Sequence, residues 1–276
     1  MGAVKRSTII LNTIDKLIEA VGQDPAERDN ELKETEDKIQ KDMQEIFTEQ
    51  EQTFMAKFEK AQKHFTESAT DDMNRYLDET FTVTASKHAE KIKEGNQEAM
   101  KKAGTRLIAA LGLDISFNLE QQRAVEYLQK HAAEMVSSIN ETTRARVKTI
   151  VVKGMQEGKS YGQVASELRE RFEEFRVGRP QHHIRGRAEH IAVTEAAHGY
   201  EAGNREAADQ IEDAGITLEK FWQTVGDDRV SDGCQQNERA GWIDKNQAFP
   251  SGHQRSPRFP GCRCHVQYRR KPDNTN

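Results

Sequence analysis

Proline, cysteine and tryptophan are scarce in this chain of 276 residues, which has six, three and two of them. Between Pro25 and Gly95 neither proline nor glycine interrupts the chain, so nothing in that stretch stops a helix. Three cysteines are an odd count, and two of them are separated by a single residue, which argues against a disulfide framework and for a reducing compartment. No run approaches the roughly 18 to 20 apolar residues that a bilayer span needs. Ile9-Ile10-Leu11 is too short for the apolar block of a signal peptide, so a soluble protein that stays where it is made is expected, with no membrane partner. A phosphate loop is also missing. The Gly154 to Ser160 piece lacks the Gly-Lys-Ser/Thr ending and follows no strand.

Charge is abundant instead. Hydrophobic residues make up 35% and charged residues 32%, with a mean hydropathy of -0.89, which fits long, solvent-washed helices better than one large core. The net charge of -5 is unevenly spread. From Arg176 onward there are 15 Lys+Arg and 14 Asp+Glu, which leaves 26 against 32, or -6, for the first 175 residues. The end of the chain is locally basic: Arg255, Arg258, Arg263, Arg269, Arg270 and Lys271 face no acid between Asp244 and Asp273. Such a run reads as a solvated surface or as a contact for phosphate or an acidic partner.

The fold expected is mainly α with a small α+β module at the C-terminus, in three segments: an extended helical region over 1–114, a helical connector over 115–180 and a C-terminal module over 181–276 with short strands and a Cys/His knot. Thr8 to Val21 carries an apolar stripe suited to a short helix. After Pro25 the residues Leu32, Ile39, Met43, Ile46, Phe47, Phe54, Phe58, Phe65, Met73, Tyr76, Leu77 and Phe81 recur at three, four and seven, which is the pattern of long N-terminal helices in a helical hairpin or coiled coil. That stripe requires cover from another helix of the chain, a second copy or another protein. A bend is expected at Glu67 to Asp72, an end at Gly95-Asn96, and a shorter helix from Ala99 stopped by Gly112. Further helices are expected over Glu120 to Val152, after a capping box of Ser160 and Gln163, and over Ile184 to Ala214. Ile216 to Val225 reads as a strand, with shorter strands near Trp242 and after Cys264.

Material for catalysis is thin. His182-His183 reads as an exposed polar turn, and Glu195 with His198 shares one helix face without a second such pair to complete a two-metal site. The stronger chemistry lies between Lys220 and Val266, which hold both tryptophans and all three cysteines. Cys262 and Cys264 at i and i+2 point to one face of an extended strand, Cys234 comes from the turn after the Trp222 strand, and His253 can supply a fourth ligand. Three sulfurs and one imidazole suit a closed structural Zn2+ site, whereas the bland alternative is three reduced thiols.

Phe221-Trp222-Gln223-Thr224, Gly226-Asp227-Asp228-Arg229-Val230, Cys234, Gly241-Trp242-Ile243, Phe249-Pro250 and Phe259-Pro260-Gly261-Cys262-Arg263-Cys264 follow one another in an order that resembles the C-terminal signature of the phage Mu F-like head morphogenesis family. Upstream, Arg187 to Glu195 looks like that family's Ile-Ala-Arg-Thr-Glu helix. Ser231 and Phe259 stand where many relatives have a cysteine and a histidine. The resemblance implies a minor capsid protein of a tailed phage or prophage, an assembly protein and not an enzyme. Its implied partners are portal, scaffold or coat proteins, and its implied location is the virion head after assembly in the bacterial cytoplasm. Self-association through the N-terminal helices and a packaged-DNA contact through the basic end are further expectations. The competing readings are an enzyme or toxin effector carrying this module for delivery, and a zinc-knuckle nucleic-acid binder.

Overall fold

A computed structural model of the protein describes residues 25–60, 69–177 and 186–272. The expected Thr8 to Val21 helix, His182-His183 and Phe65 lie outside them. Among the described residues there are helices α1 (Pro25–Lys60), α2 (Ala69–Ala110), α3 (Gln122–Gln156), α4 (Tyr161–Val177) and α5 (Arg187–Asp213). Strand β1 (Leu218–Gln223), helix α6 (Asp232–Arg239) and strands β2 (Ile243–Asp244) and β3 (His265–Arg270) follow. No described helix is long and apolar enough to cross a membrane.

The chain divides into two units, neither of them one continuous stretch. One comprises Glu36–Glu94 and Tyr127–Ala192, and the other comprises Met1–Thr35, Gly95–Glu126 and Val193–Asn276.

In the first, all-helical unit, α1 and α2 form the expected hairpin. Lys57 pairs with Glu79, Lys87 with Glu49 and Lys91 with Asp42 and Glu45, so the numbers rise along one helix as they fall along the other. The phenylalanine stripe is covered from within the chain. Phe47 packs on Phe175 with ring centroids 5.4 Å apart, Phe54 on Phe172 at 6.4 Å, and Phe58 stacks on Tyr161 at 4.9 Å, so α4 supplies the lid. The helix α4 starts where its capping box places it. The Ser160 N–H donates to Gln163 Oε1 at 2.8 Å, and the Gln163 N–H returns to Ser160 Oγ at 3.4 Å. Arg187 closes the same core. Its guanidinium lies 4.9 Å from the Phe47 ring and 5.1 Å from that of Phe175, donating to Thr143 Oγ1 and the Ile139 carbonyl. Burial, with Arg146 nearby, pushes its pKa down to about 9.

The second unit carries the sheet. Strand β1 is central and antiparallel to both neighbours, in the order β2-β1-β3. Its alternation buries Leu218, Lys220 and Trp222 and leaves Glu219, Phe221 and Gln223 half-covered. Trp222, Tyr268 and Val266 build one core with Leu107 and Leu111 of the α2 end, Ala207 and Ile211 of α5, and all three cysteines. On the other face Phe221 sits 5.5 Å from Trp242, Arg269 lies 4.2 Å over the Trp242 ring, and Arg269 pairs directly with Glu219 across the strands. The last residues of α2 meet α5 at close range. A Cβ added to Gly203 would stand 2.6 Å from the Met100 Cα, and one added to Gly199 would stand 2.8 Å from the Ala99 Cβ.

One local expectation changes. Gly95-Asn96 does not end a helix but lies buried inside α2, because Asn96 donates to the Glu195 carboxylate of α5 at 3.3 Å and this tertiary bond overrides the local breaker signal. Ile115 to Leu119, whose brief alternation suits either a strand or an extended linker, is a linker.

Candidate metal centre

Cys234, Cys262 and Cys264 come together from two directions. The segment after β1 does not stay an irregular turn. It enters α6 after Ser231, whose carbonyl accepts the N–H of Cys234 at 2.9 Å and that of Gln235 at 3.0 Å, and this seats Cys234 in the first turn of the helix. The other two cysteines lie on the approach to β3. That loop is held by the Cys262 N–H on the Phe259 carbonyl at 3.0 Å, and by the Gly261 N–H on the Thr194 hydroxyl of α5, also at 3.0 Å. The three sulfurs lie within 4.8 Å of one another, all buried, with Cys234 and Cys262 4.0 Å apart. They are free thiols.

The surroundings favour negative charge on sulfur. A hydrogen bond from the Cys264 thiol, together with the backbone N–H groups of Arg258 and Cys264 and the Cys234 thiol, pulls Cys262 down to about 5. The same contact with Cys262, followed by burial, pushes Cys264 up, so the two thiols titrate as one coupled pair. The indole N–H of Trp222 is buried with no conventional partner, and it lies close enough to Cys264 to favour the ionised form of that sulfur. Buried sulfurs met by N–H donors form a soft, anionic donor set that fits a thiophilic cation such as Zn2+.

His253, expected as a fourth ligand, is not part of this cluster. Its Nδ1 is 3.0 Å from the Ser251 carbonyl and 3.1 Å from the Ser251 hydroxyl, and the imidazole is outside the thiol cluster. The guanidinium of Arg258 lies beside Cys234, with Nη1 2.9 Å from Ser231 Oγ and 3.7 Å from Cys234 Sγ. It fits because residue 233 is glycine: a Cβ there would stand 2.6 Å from the Arg258 Cζ. Sequence reasoning missed both Arg258 and α6. The Asp232–Arg239 segment has no apolar period to announce a helix, since only Cys234 and Asn237 of it are buried.

The other candidates scatter. Glu195 is bonded to Asn96, and the His198 carbonyl accepts from Arg255, so these two residues act in packing α5. Asp227 accepts the Arg229 N–H at 3.1 Å, as its turn position suggests, and pairs with Arg263. Half of the basic end is matched by acids once folded: Arg263 by Asp227, Arg269 by Glu219 and Lys271 by Asp244, while Arg270 donates to the Leu111 carbonyl. Among the described residues, the three cysteines are the one cluster of potential metal ligands.

Residues 145–267 match the family described as Phage Mu protein F like protein. This is under half of the chain, and it takes in α4, α5, β1, β2, the start of β3 and the thiol cluster. The C-terminal region is therefore similar to the phage Mu F-like proteins. No curated protein and no solved structure matches the chain.

Proposed function

We propose that the chain is a head morphogenesis protein of a tailed phage or prophage, a minor capsid protein that works in assembly and remains inside the head. The match of residues 145–267 carries this reading. Its partners are the portal and the scaffold or coat proteins, met first in the bacterial cytoplasm. Because α4 already covers Phe47, Phe54 and Phe58, the contact with those partners, or with a second copy, is made through the charged outer faces of α1 and α2 and not through the phenylalanine stripe. A tagged full-length chain expressed with the head genes should sediment with procapsids and the portal, and infectious heads should fail to form without it. Normal yields of infectious heads in its absence would overturn the assembly role.

Within this reading Cys234, Cys262 and Cys264 hold one structural zinc, which ties α6 to the start of β3. Protein purified without chelator should carry about one zinc per chain, and Cys262→Ser should lose it and melt about 5 °C lower, a loss of about 2 kcal/mol in a chain of this size. A metal-free preparation, with the variant melting as the parent does, would leave the cluster as three packed thiols. The nucleic-acid alternative has less to rest on, since half of the basic residues at the end already face acids.

A further inference from the structure

A second polar site lies in the sheet-bearing unit on the outer side of β3. It is a cavity of about 30 Å3, open to solvent on one side, and Arg28, Arg106, Tyr200, Asn204 and His265 contribute to its walls. That volume takes two water-sized atoms.

Its wall is short of acceptors. Arg28 reaches it from the first turn of α1 with a side chain only 11% exposed. Its Nε and Nη2 hold Asp29 at 3.0 and 2.6 Å, and Nη1 is buried with no partner. His265 is 9% exposed, and its buried Nδ1 is likewise without a partner. The carboxylates nearby are engaged. Glu31 accepts from Arg106 at 3.1 Å and from the Tyr200 hydroxyl at 3.3 Å, and Glu201 accepts the Val266 N–H at 3.1 Å. Buried nitrogens left without a bond are costly, and here two that have none among the described residues belong to side chains lining one small opening.

We propose that this cavity binds the oxyanion head of a ligand, a carboxylate or phosphate group, two of whose oxygens accept from Arg28 Nη1 and His265 Nδ1. Asp29 and Glu31 already pair with Arg28 and Arg106, so what is left for a ligand is the two nitrogens; an oxyanion accepts from both through two oxygens, and its bond to the guanidinium joins two charged groups where that of a water does not. The group arrives either as a small free ion or on an acidic side chain of a protein partner.

The test follows thermal unfolding of the full chain with inorganic phosphate, with acetate and with an aspartate-rich hexapeptide, each against chloride at equal ionic strength. At least one of these probes should raise the Tm with half-saturation in the millimolar range or below. Phosphate acting as well as the peptide assigns the site to a free ion, and a peptide at least ten-fold tighter than acetate assigns it to an acidic side chain. Arg28→Gln should weaken binding at least ten-fold, Asn204→Asp should abolish it by placing a carboxylate in the wall, and Arg229→Gln, on an exposed turn, should leave it unchanged. No probe exceeding chloride, or undiminished binding in Asn204→Asp, would return the cavity to water.

Discussion

Trp222→Ala is expected to destabilise the sheet-bearing unit by about 3 to 5 kcal/mol, the range of large aromatic truncations in well-packed cores. Trp222 is fully buried on the inner face of the central strand, and its ring meets Phe249 edge-on at 5.1 Å. It also forms part of the wall against Cys264, so the substitution opens space beside the thiol cluster as well as removing apolar contact. Urea unfolding followed by circular dichroism measures the loss, and the rate at which a thiol reagent reaches Cys264 should rise with it. Phe221→Ala, one residue along on the half-covered face, should cost no more than about 1.5 kcal/mol. Equal losses at the two positions would contradict the burial alternation of β1.

A second large effect is expected from Gly203→Val. The added side chain would be driven into the backbone of Met100, which cannot swing aside as a flexible side chain does, so α5 and α2 must separate. Overpacking of a core costs about 1 to 3 kcal/mol, and displacement of a whole helix belongs at or above the top of that range. The thermal midpoint should fall accordingly. Gly162→Ala is the matched control. Nothing stands within 4 Å of a Cβ there, so alanine should be neutral or gain up to about 1 kcal/mol from its helix propensity. If Gly203→Val melts with the parent, the two helices are not in the contact described.

The long helices were legible because apolar spacing survives in a charged sequence. Phe47, Phe54 and Phe58 mark the buried side of α1 before any partner is known. What covers that side was not legible, because a periodic stripe states that cover is required and not which chain provides it; Phe172 and Phe175 answer this only once α4 is folded back. The thiol cluster was half legible. Cys262 and Cys264 two residues apart, with Cys234 after β1, predict three converging sulfurs, and the sulfurs do converge. The fourth position depends on loop conformation. Phe249 and His253 close their own turn, with the Phe249 N–H on the His253 carbonyl at 2.9 Å, and the imidazole stays with Ser251. The Gly199 and Gly203 spacing on α5 was a signal present in the sequence, and only the approach of α2 gives it meaning.

The Val266 N–H points away from β1, and it is taken by the buried Glu201 carboxyl, whose pKa burial pushes up to about 7. Free N–H groups along an outer strand are a template on which another chain can add. Here a side chain from α5 occupies that position, and the opposite border of the sheet is the two-residue strand β2. At Val266 the outer border is thus closed to an added strand, and two residues of β2 leave the other border little ladder to extend.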